Sequence, residues 1–195
     1  MLRAALLTGS LAASLAVLPA MAAAAPEWTV DREASRVGFT AMQSGDAVPG
    51  AFTEYTADIH FDPEALDDSR VDVEIAVASV DAGSSDRDQM ITASGLFHAR
   101  EYPTARFTSE SFAHREDNVH VASGDLTMRG VTHTVELPFE LDIEERDGAW
   151  HAVADGAVTV ERLRWGIGQG QWEDTSMVPN EVRIEIRIVA ARSTQ

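Results

Sequence analysis

Apolar and polar residues alternate strictly through residues 131–143, and this period of two constrains the fold more than any other feature of the chain. The even positions hold only threonine, glutamate, proline and aspartate, whereas the odd positions are Val131, His133, Val135, Leu137, Phe139, Leu141 and Ile143. Successive side chains of a β-strand point to opposite faces, so the pattern predicts a long strand with one apolar and one polar face. The same alternation recurs in residues 71–78, 158–160 and 182–188.

Shorter segments also fit strands, at residues 28–31, 35–42, 104–112, 119–128 and 150–154. In residues 50–61 the apolar phase changes from even to odd, which predicts a β-bulge near Glu54. Pro138 on the polar face indicates a strand edge, a bulge or a strand end. Pairs such as Asp147-Gly148 and Asp155-Gly156 predict turns between strands.

About eight antiparallel strands, each with one apolar face, favour an all-β barrel or sandwich. One α-helix is predicted, with Ser85 as N-cap and Asp88 three residues later, running for about two turns and ending before Gly95. Residues 64–68 fit a second, single helical turn.

The apolar face allows two interpretations. It is either the filled core of a sandwich or small barrel, or the lining of a cavity that holds one apolar ligand. The alternation by itself favours the filled core.

The balance of charge excludes several functions. The chain has 195 residues, with 32 acidic and 15 basic side chains, and a net charge of −17. Such a chain lacks the clustered cations that bind nucleic acid or an anionic membrane surface. With no cysteine, it has no disulfide, no thiolate metal site and no lipidated N-terminal cysteine.

Residues 1–25 fit a cleaved secretory signal peptide, because a short start containing Arg3 precedes an apolar run and then several alanines. A membrane anchor is disfavoured, since the run is shorter than the roughly 20 residues of a membrane span. Cleavage is expected between Ala22 and Pro26. Residues 26–195 are then expected to form a single exported domain in the periplasm, which is not a lipoprotein.

The sequence offers no convincing catalytic or metal-binding group, and the protein is predicted not to be an enzyme. His133 falls on an apolar face, where a hydrogen-bonded neutral ring is favoured over a metal ligand or general base. Asp86 and Asp88 flank Arg87, which a helix cap and a local ion pair explain. The glycines of residues 166–170 lack the spacing of a dinucleotide-binding loop.

Apolar and aromatic residues are concentrated in the irregular segments: Met90, Leu96, Phe97, Tyr102, Trp165, Ile167, Trp172 and Met177. They either plug one end of a barrel or form the mouth of an apolar pocket. The pattern leaves both alternatives open.

Several of these segments, taken in order, resemble the YceI-like family of bacterial periplasmic lipid-binding proteins. The opening of the family is matched by Trp28-Thr-Val-Asp31 and Ser35-Arg-Val-Gly-Phe39, and its second strand by Gly50-Ala-Phe52 and Ala57-Asp-Ile-His-Phe61-Asp-Pro63. Later segments of the family are matched by Asp86-Arg-Asp88, Gly95-Leu-Phe97, Tyr102-Pro103-Thr-Ala-Arg-Phe107, Gly124-Asp-Leu-Thr-Met-Arg-Gly130-Val-Thr132 and Arg164-Trp-Gly166.

This resemblance implies a lipocalin-like antiparallel β-barrel whose interior is a tunnel, and it reverses the preference for a filled core. The ligand it implies is an isoprenoid-type lipid, such as an isoprenoid quinone or a prenyl phosphate, or a fatty-acid derivative. No covalent cofactor is expected. The resemblance also implies links to acid or osmotic stress, or a transient partner at the membrane such as a membrane cytochrome, and the protein is expected to be a monomer or a homodimer.

The residues that would contact the ligand follow from the resemblance and the inward phase of each strand. The tunnel candidates are Phe39, Phe52, Ile75, Val77, Phe107, Leu126, Met128, Val135, Leu137, Phe139, Ile184 and Ile186. The mouth candidates are Met90, Phe97, Tyr102, Trp165 and Trp172, and Arg87 is the candidate for a polar head group. The loop of residues 166–179 departs from the family and would narrow or cover the tunnel.

Two other functions stay open at this point. One is a structural or stress-interaction barrel that holds no ligand. The other is a hydrolase or redox enzyme that uses His133.

Overall fold

The computed structural model describes residues 24–193, which form eleven β-strands and one α-helix. The elements are β1 (Glu27–Val30), β2 (Arg36–Gln43), β3 (Asp46–Phe52), β4 (Tyr55–His60), β5 (Arg70–Ala76), β6 (Val80–Asp81), α1 (Ser85–Thr92), β7 (Thr104–His114), β8 (Val119–Met128), β9 (Val131–Arg146), β10 (Ala149–Glu161) and β11 (Glu181–Ser193). Short 3₁₀ turns occur at Leu66–Asp68, Val77–Ser79, Arg162–Trp165 and Gly170–Trp172. Apart from Ala24 and Ala25, the predicted signal peptide lies outside the described residues. Within them, no helix combines the length and the apolar character needed to span a bilayer.

Eight strands form a closed antiparallel barrel in the order β1-β4-β5-β7-β8-β9-β10-β11. The short β1 closes the ring, since Trp28 pairs with Ile59 of β4 and Val30 pairs with Ala190 of β11. Strands β2, β3 and β6 extend from β11 as a branch, in which Ile184 pairs with Phe39. The predicted all-β barrel with a short helix is therefore confirmed.

The barrel wall separates between β9 and β10 at one end. The pairing of β10 with β9 ends at Gly156 and Phe139, whereas its pairing with β11 continues to Glu161. The first half of β9 thus has no strand partner on that side among the described residues. The turn Arg162–Trp165 lies there instead, with His133 Nε2 3.1 Å from the carbonyl oxygen of Arg164.

The structure corrects the turn predicted at Asp155-Gly156, which lies inside β10. A Cβ atom on Gly156 would come within 2.8 Å of the carbonyl oxygen of Pro138, so glycine is needed here for close packing of backbones. Pro138 itself lies within β9, beside the point where pairing with β10 ends. Its position there agrees with the predicted interruption of a strand edge.

Two further local predictions were wrong. The phase change near Glu54 is a break between β3 and β4, not a bulge within one strand. The N-cap of α1 is Ser84, whose Oγ accepts a hydrogen bond from the backbone N–H of Arg87, so the cap lies one residue before the predicted Ser85.

One end of the barrel is packed with aromatic rings around a buried histidine. His120 is 6% exposed, stacks on Phe139 with centroids 5.6 Å apart, and meets Phe61 edge-on. Burial lowers the pKa of His120, and the neighbouring His114 lowers it further, whereas a contact with the carbonyl of Asn118 opposes these effects. Burial therefore favours the neutral form of this ring in the folded protein.

This burial predicts a loss of stability in mild acid. In the unfolded chain His120 takes up a proton near its ordinary pKa of about 6.5, whereas the folded state resists protonation. The stability contributed by the neutral ring is present above that pH and is lost as the pH falls through the lowered folded pKa. His120→Phe should therefore lose less unfolding free energy than the wild type between about pH 7.5 and pH 5, as measured by urea denaturation. Equal losses in the two proteins would contradict the prediction.

Candidate functional site

Two cavities lie inside the barrel, and each has a volume of about 180 Å³. All 23 side chains that line the first, here called the inner cavity, are apolar; they include Trp28, Phe61, Phe112, Leu141 and Ala154. The second, here called the outer cavity, is bounded by β2, α1 and the loop of residues 166–179, and it includes Gln43, Arg87 and Arg162.

The two cavities adjoin inside the barrel. Four side chains line both of them: Val37, Ile75, Leu126 and Ile184. These residues come from β2, β5, β8 and β11, so they surround the junction from several strands. The two linings are therefore continuous and largely apolar, and among the described residues the polar side chains that line them belong to the outer cavity.

Most of the predicted contact residues line these cavities. Three of them line both cavities: Ile75, Leu126 and Ile184. Those that line only the inner cavity are Phe107, Val135, Leu137, Phe139 and Ile186. Those that line only the outer cavity are Phe39, Phe52, Arg87, Met90, Phe97, Met128 and Trp172. Contact of any of these with a ligand stays a prediction.

Three predicted residues line neither cavity. Val77 and Trp165 are each 1% exposed within the hydrophobic core, and the Trp165 indole donates a 2.9 Å hydrogen bond to the carbonyl oxygen of Leu126. Tyr102 packs beneath the guanidinium of Arg129 and against Gly130. His133 also lines neither cavity, and its ring meets Trp165 edge-on at 4.9 Å.

The loop of residues 166–179 forms part of the wall of the outer cavity through Ile167, Trp172 and Val178. Its backbone is tied to the segment after α1, since the N–H of Gln169 donates to the carbonyl oxygen of Gly95 at 2.7 Å. A Cβ atom on Gly95 would come within 2.7 Å of the Trp172 ring, so this glycine lets the indole pack close against the backbone.

Arg87 stands at the exposed rim of the outer cavity. Its Nη1 donates to the carbonyl oxygen of Ala82 at 3.1 Å. The predicted local ion pair is not found: within residues 24–193 no carboxylate lies within 4.0 Å of this guanidinium. Asp88 instead accepts a hydrogen bond from the N–H of Ala82.

Arg162, which was not predicted, is the second cation in the outer cavity and is only 4% exposed. Its Nε, Nη1 and Nη2 donate to the carbonyl oxygens of Pro179, Ile167 and Val178 at 3.0, 2.9 and 2.8 Å. Burial lowers the pKa of this guanidinium. The sequence did contain a signal, because position 162 continues the inward phase of Val158 and Val160.

One group outside the barrel has the composition of a metal site. Glu27, Asp58 and His60 place ligand atoms within 4.8 Å of one another. Both nitrogens of His60 already face protein oxygens, Nε2 at 3.0 Å from Asp58 and Nδ1 at 3.1 Å from the carbonyl of Ala25. The two carboxylates are exposed, and the group lies away from both cavities, so we assign it no metal.

Comparison with known proteins gives a consistent relationship. The family model described as YceI-like domain matches residues 28–190. A UPF0312 protein of Photorhabdus laumondii is 32% identical over 140 residues, covering 70% of this chain and 72% of the relative. A UPF0312 protein of Shewanella baltica is 27% identical over 185 residues, covering 92% and 96%.

Solved structures share the fold. The crystal structure of BcnA from Burkholderia cenocepacia has a TM-score of 0.77 and 31% identity, covering 83% of this chain and 99% of its own. A polyisoprenoid-binding domain from Saccharophagus degradans has a TM-score of 0.66 at 14% identity, covering 86% and 98%, and it supports the fold alone.

The two tryptophans near the loop should respond differently to truncation. Trp165→Ala removes a buried side chain and its hydrogen bond, and should lower the free energy of unfolding by about 3–5 kcal/mol. Trp172→Ala removes a half-buried side chain, and should cost less than about 2 kcal/mol. Urea denaturation of both variants measures the difference, and similar losses would mean that Trp165 does not have a special structural role.

Proposed function

The chain belongs to the YceI-like domain family, and from this premise we propose that it is a periplasmic carrier of an isoprenoid-type lipid or a fatty-acid derivative. The observation that carries the proposal is the pair of adjoining cavities, whose inner part is lined by apolar side chains alone. The inner cavity suits a long hydrocarbon chain, because its lining offers a polar molecule no charged or hydrogen-bonding side chain.

The energetics favour retention of a water-insoluble chain. Burial of one CH₂ group contributes about 0.8 kcal/mol, so a five-carbon isoprene unit contributes about 4 kcal/mol. A few buried units are enough for tight binding, and ordering of the chain offsets part of the gain. Binding of this kind requires no catalytic group, and His133 lies outside both cavities.

A solved structure of the same fold is consistent with the proposed ligand class. The Saccharophagus degradans domain with the same fold is described as polyisoprenoid-binding. The predicted signal peptide in residues 1–25 supports a periplasmic location. A partner at the membrane, such as a cytochrome, would receive or supply the lipid.

The acidic exterior would weaken binding of the carrier to an anionic membrane surface. Outward positions of the strands carry acids such as Glu136, Glu140 and Asp142. Like charges repel the protein from anionic lipid surfaces, so docking is transient or is guided by another protein.

Native mass spectrometry tests the proposal directly. Protein purified from its own cells should carry added mass equal to that of a lipid found in an organic extract of the same sample. A mass equal to the bare polypeptide, together with an extract free of lipid, would count against a carrier.

Blocking the inner cavity should abolish binding of long chains. Ala154 lines this cavity on β10, so Ala154→Trp fills space that the hydrocarbon would occupy. We expect the affinity for a twenty-carbon isoprenoid to fall at least about tenfold, since one side chain displaces several CH₂ groups.

Ala113→Trp provides the matched control, because Ala113 is exposed on β7 and lines neither cavity. This variant should bind as the wild type does, and both variants should melt within a few degrees of it. Unchanged affinity in a folded Ala154→Trp variant would mean that the hydrocarbon of the lipid does not bind in the inner cavity.

A further inference from the structure

The sulfur atoms of the described chain are concentrated around the outer cavity. The sequence contains six methionines and no cysteine. Four of the methionines lie within residues 24–193: Met42, Met90, Met128 and Met177. Three of these four line the outer cavity, and none of them lines the inner cavity. Because a thioether can be oxidised to a sulfoxide, this placement has a chemical consequence.

The four methionines differ in two properties that decide what oxidation would do. Met42 and Met90 are each 37% exposed, and both line the outer cavity. Met128 lines the same cavity but is only 6% exposed. Met177 is 59% exposed but lines neither cavity, and its sulfur lies 4.0 Å from the hydroxyl of Ser44. Among these four, Met42 and Met90 alone combine access from solvent with a place in the cavity wall.

Met42 and Met90 reach the rim of the outer cavity from two separate elements. Met42 is the last residue but one of β2, and Met90 lies in the last turn of α1. Their unbranched thioether side chains supply adaptable apolar surface, which suits the wall of a site for a hydrocarbon. An oxygen atom on either sulfur would put a hydrogen-bond acceptor into that apolar surface.

The oxidation is a two-electron step whose only co-reactant is a peroxide. The sulfur lone pair attacks one oxygen of hydrogen peroxide, so that an S–O bond forms and the O–O bond breaks. The departing oxygen takes the proton of the transferred oxygen and leaves as water. Sulfur is thereby oxidised from thioether to sulfoxide, and the peroxide is reduced.

On the premise of the proposed carrier function, we infer that Met42 and Met90 are sites of oxidation by peroxides, and that their sulfoxides weaken the binding of a hydrocarbon chain. Sulfoxide formation changes a flexible apolar side chain into a polar one. The new oxygen loses contact with water when a hydrocarbon lies against it, and this loss opposes binding. Because methionine sulfoxide can be reduced to methionine again, the loss of affinity is reversible.

The first measurement locates the oxidation. Delipidated protein is treated with dilute hydrogen peroxide, the excess is removed, and mass spectrometry of its peptides records the sulfoxide at each position. Met42, Met90 and Met177 should be oxidised before Met128, because their side chains are exposed and that of Met128 is buried.

The second measurement compares the binding of geranylgeraniol before and after the peroxide treatment. Trp28 lines the inner cavity and Trp172 the outer one, so tryptophan fluorescence follows the titration. The affinity of the oxidised wild type should fall about tenfold, as expected when a polar group becomes partly desolvated on binding.

Leucine variants carry the test, because leucine is apolar, close to methionine in volume and resistant to peroxide. Peroxide should leave the affinity of Met42→Leu/Met90→Leu unchanged, whereas Met177→Leu should lose affinity as the wild type does. Each protein is compared with itself, so a direct effect of the substitution on binding cancels. Met42→Gln/Met90→Gln introduces polarity without oxidant, and should bind geranylgeraniol more weakly than the double leucine variant. Melting temperatures show that the variants are folded.

The outcomes separate this inference from the carrier proposal. Equal affinity before and after treatment, in wild-type protein that carries both sulfoxides, would overturn the inference and leave the carrier intact. A loss in the double leucine variant as large as in the wild type would also overturn it, since oxidation would then act elsewhere. Oxidation of Met128 as fast as that of Met42 and Met90 would overturn selective oxidation at the rim. Failure of the untreated protein to bind geranylgeraniol or palmitate would overturn both proposals.

Discussion

Closure of the hydrogen-bonded ladder through β1 is the constraint on which the rest of the structure depends. Four residues, Glu27–Val30, bond to β4 on one side and to β11 on the other. Trp28 adds a 2.9 Å hydrogen bond from its indole to the carbonyl of Phe61 and fills the interior beside it. Because the ring is closed, each of its eight strands has a definite inside and outside, and the alternating sequence becomes an apolar interior with a charged exterior.

That partition also explains the distribution of arginine. Outer arginines lie beside acids, as in the pairs Arg106–Asp72, Arg183–Glu185 and Arg187–Asp155. Exposed pairs of this kind contribute little to stability, and mainly reduce repulsion among the many carboxylates. Within residues 24–193, neither arginine of the outer cavity makes an ion pair of this kind.

The sequence predicted the strands well because burial on one face imposes a period of two. β8 has the predicted bounds, and the odd positions of β9 from Val135 to Ile143 line the inner cavity as expected, whereas Val131 is exposed. It failed where the period breaks. An interruption between two strands and a bulge within one strand shift the apolar phase equally, so the change near Glu54 was wrongly predicted to be a bulge. Asp155-Gly156 has the composition of a turn, although it lies inside β10 and the glycine is needed for packing against Pro138.

The same limit applies to the site. Inward phase placed every tunnel candidate except Val77 on a cavity wall, and Val77 lies in the core. No period exists in the loops, so Trp165 and Tyr102 were assigned to the mouth although they pack elsewhere. At Arg162 the error was the reverse, because a residue that lines the outer cavity was left out of the prediction. It continues the inward phase of β10, yet a charged residue at the end of a strand is ordinarily expected in solvent.

The adjoining cavities have a thermodynamic consequence for folding itself. Unfilled apolar volume inside a protein forfeits van der Waals contacts, so a barrel without a chain would be less stable than its sheet alone suggests. A bound hydrocarbon would restore those contacts and act as a removable part of the hydrophobic core. Folding and loading would then be linked by mass action. The heat resistance of such a protein would report the lipid supply of the cell in which it was made.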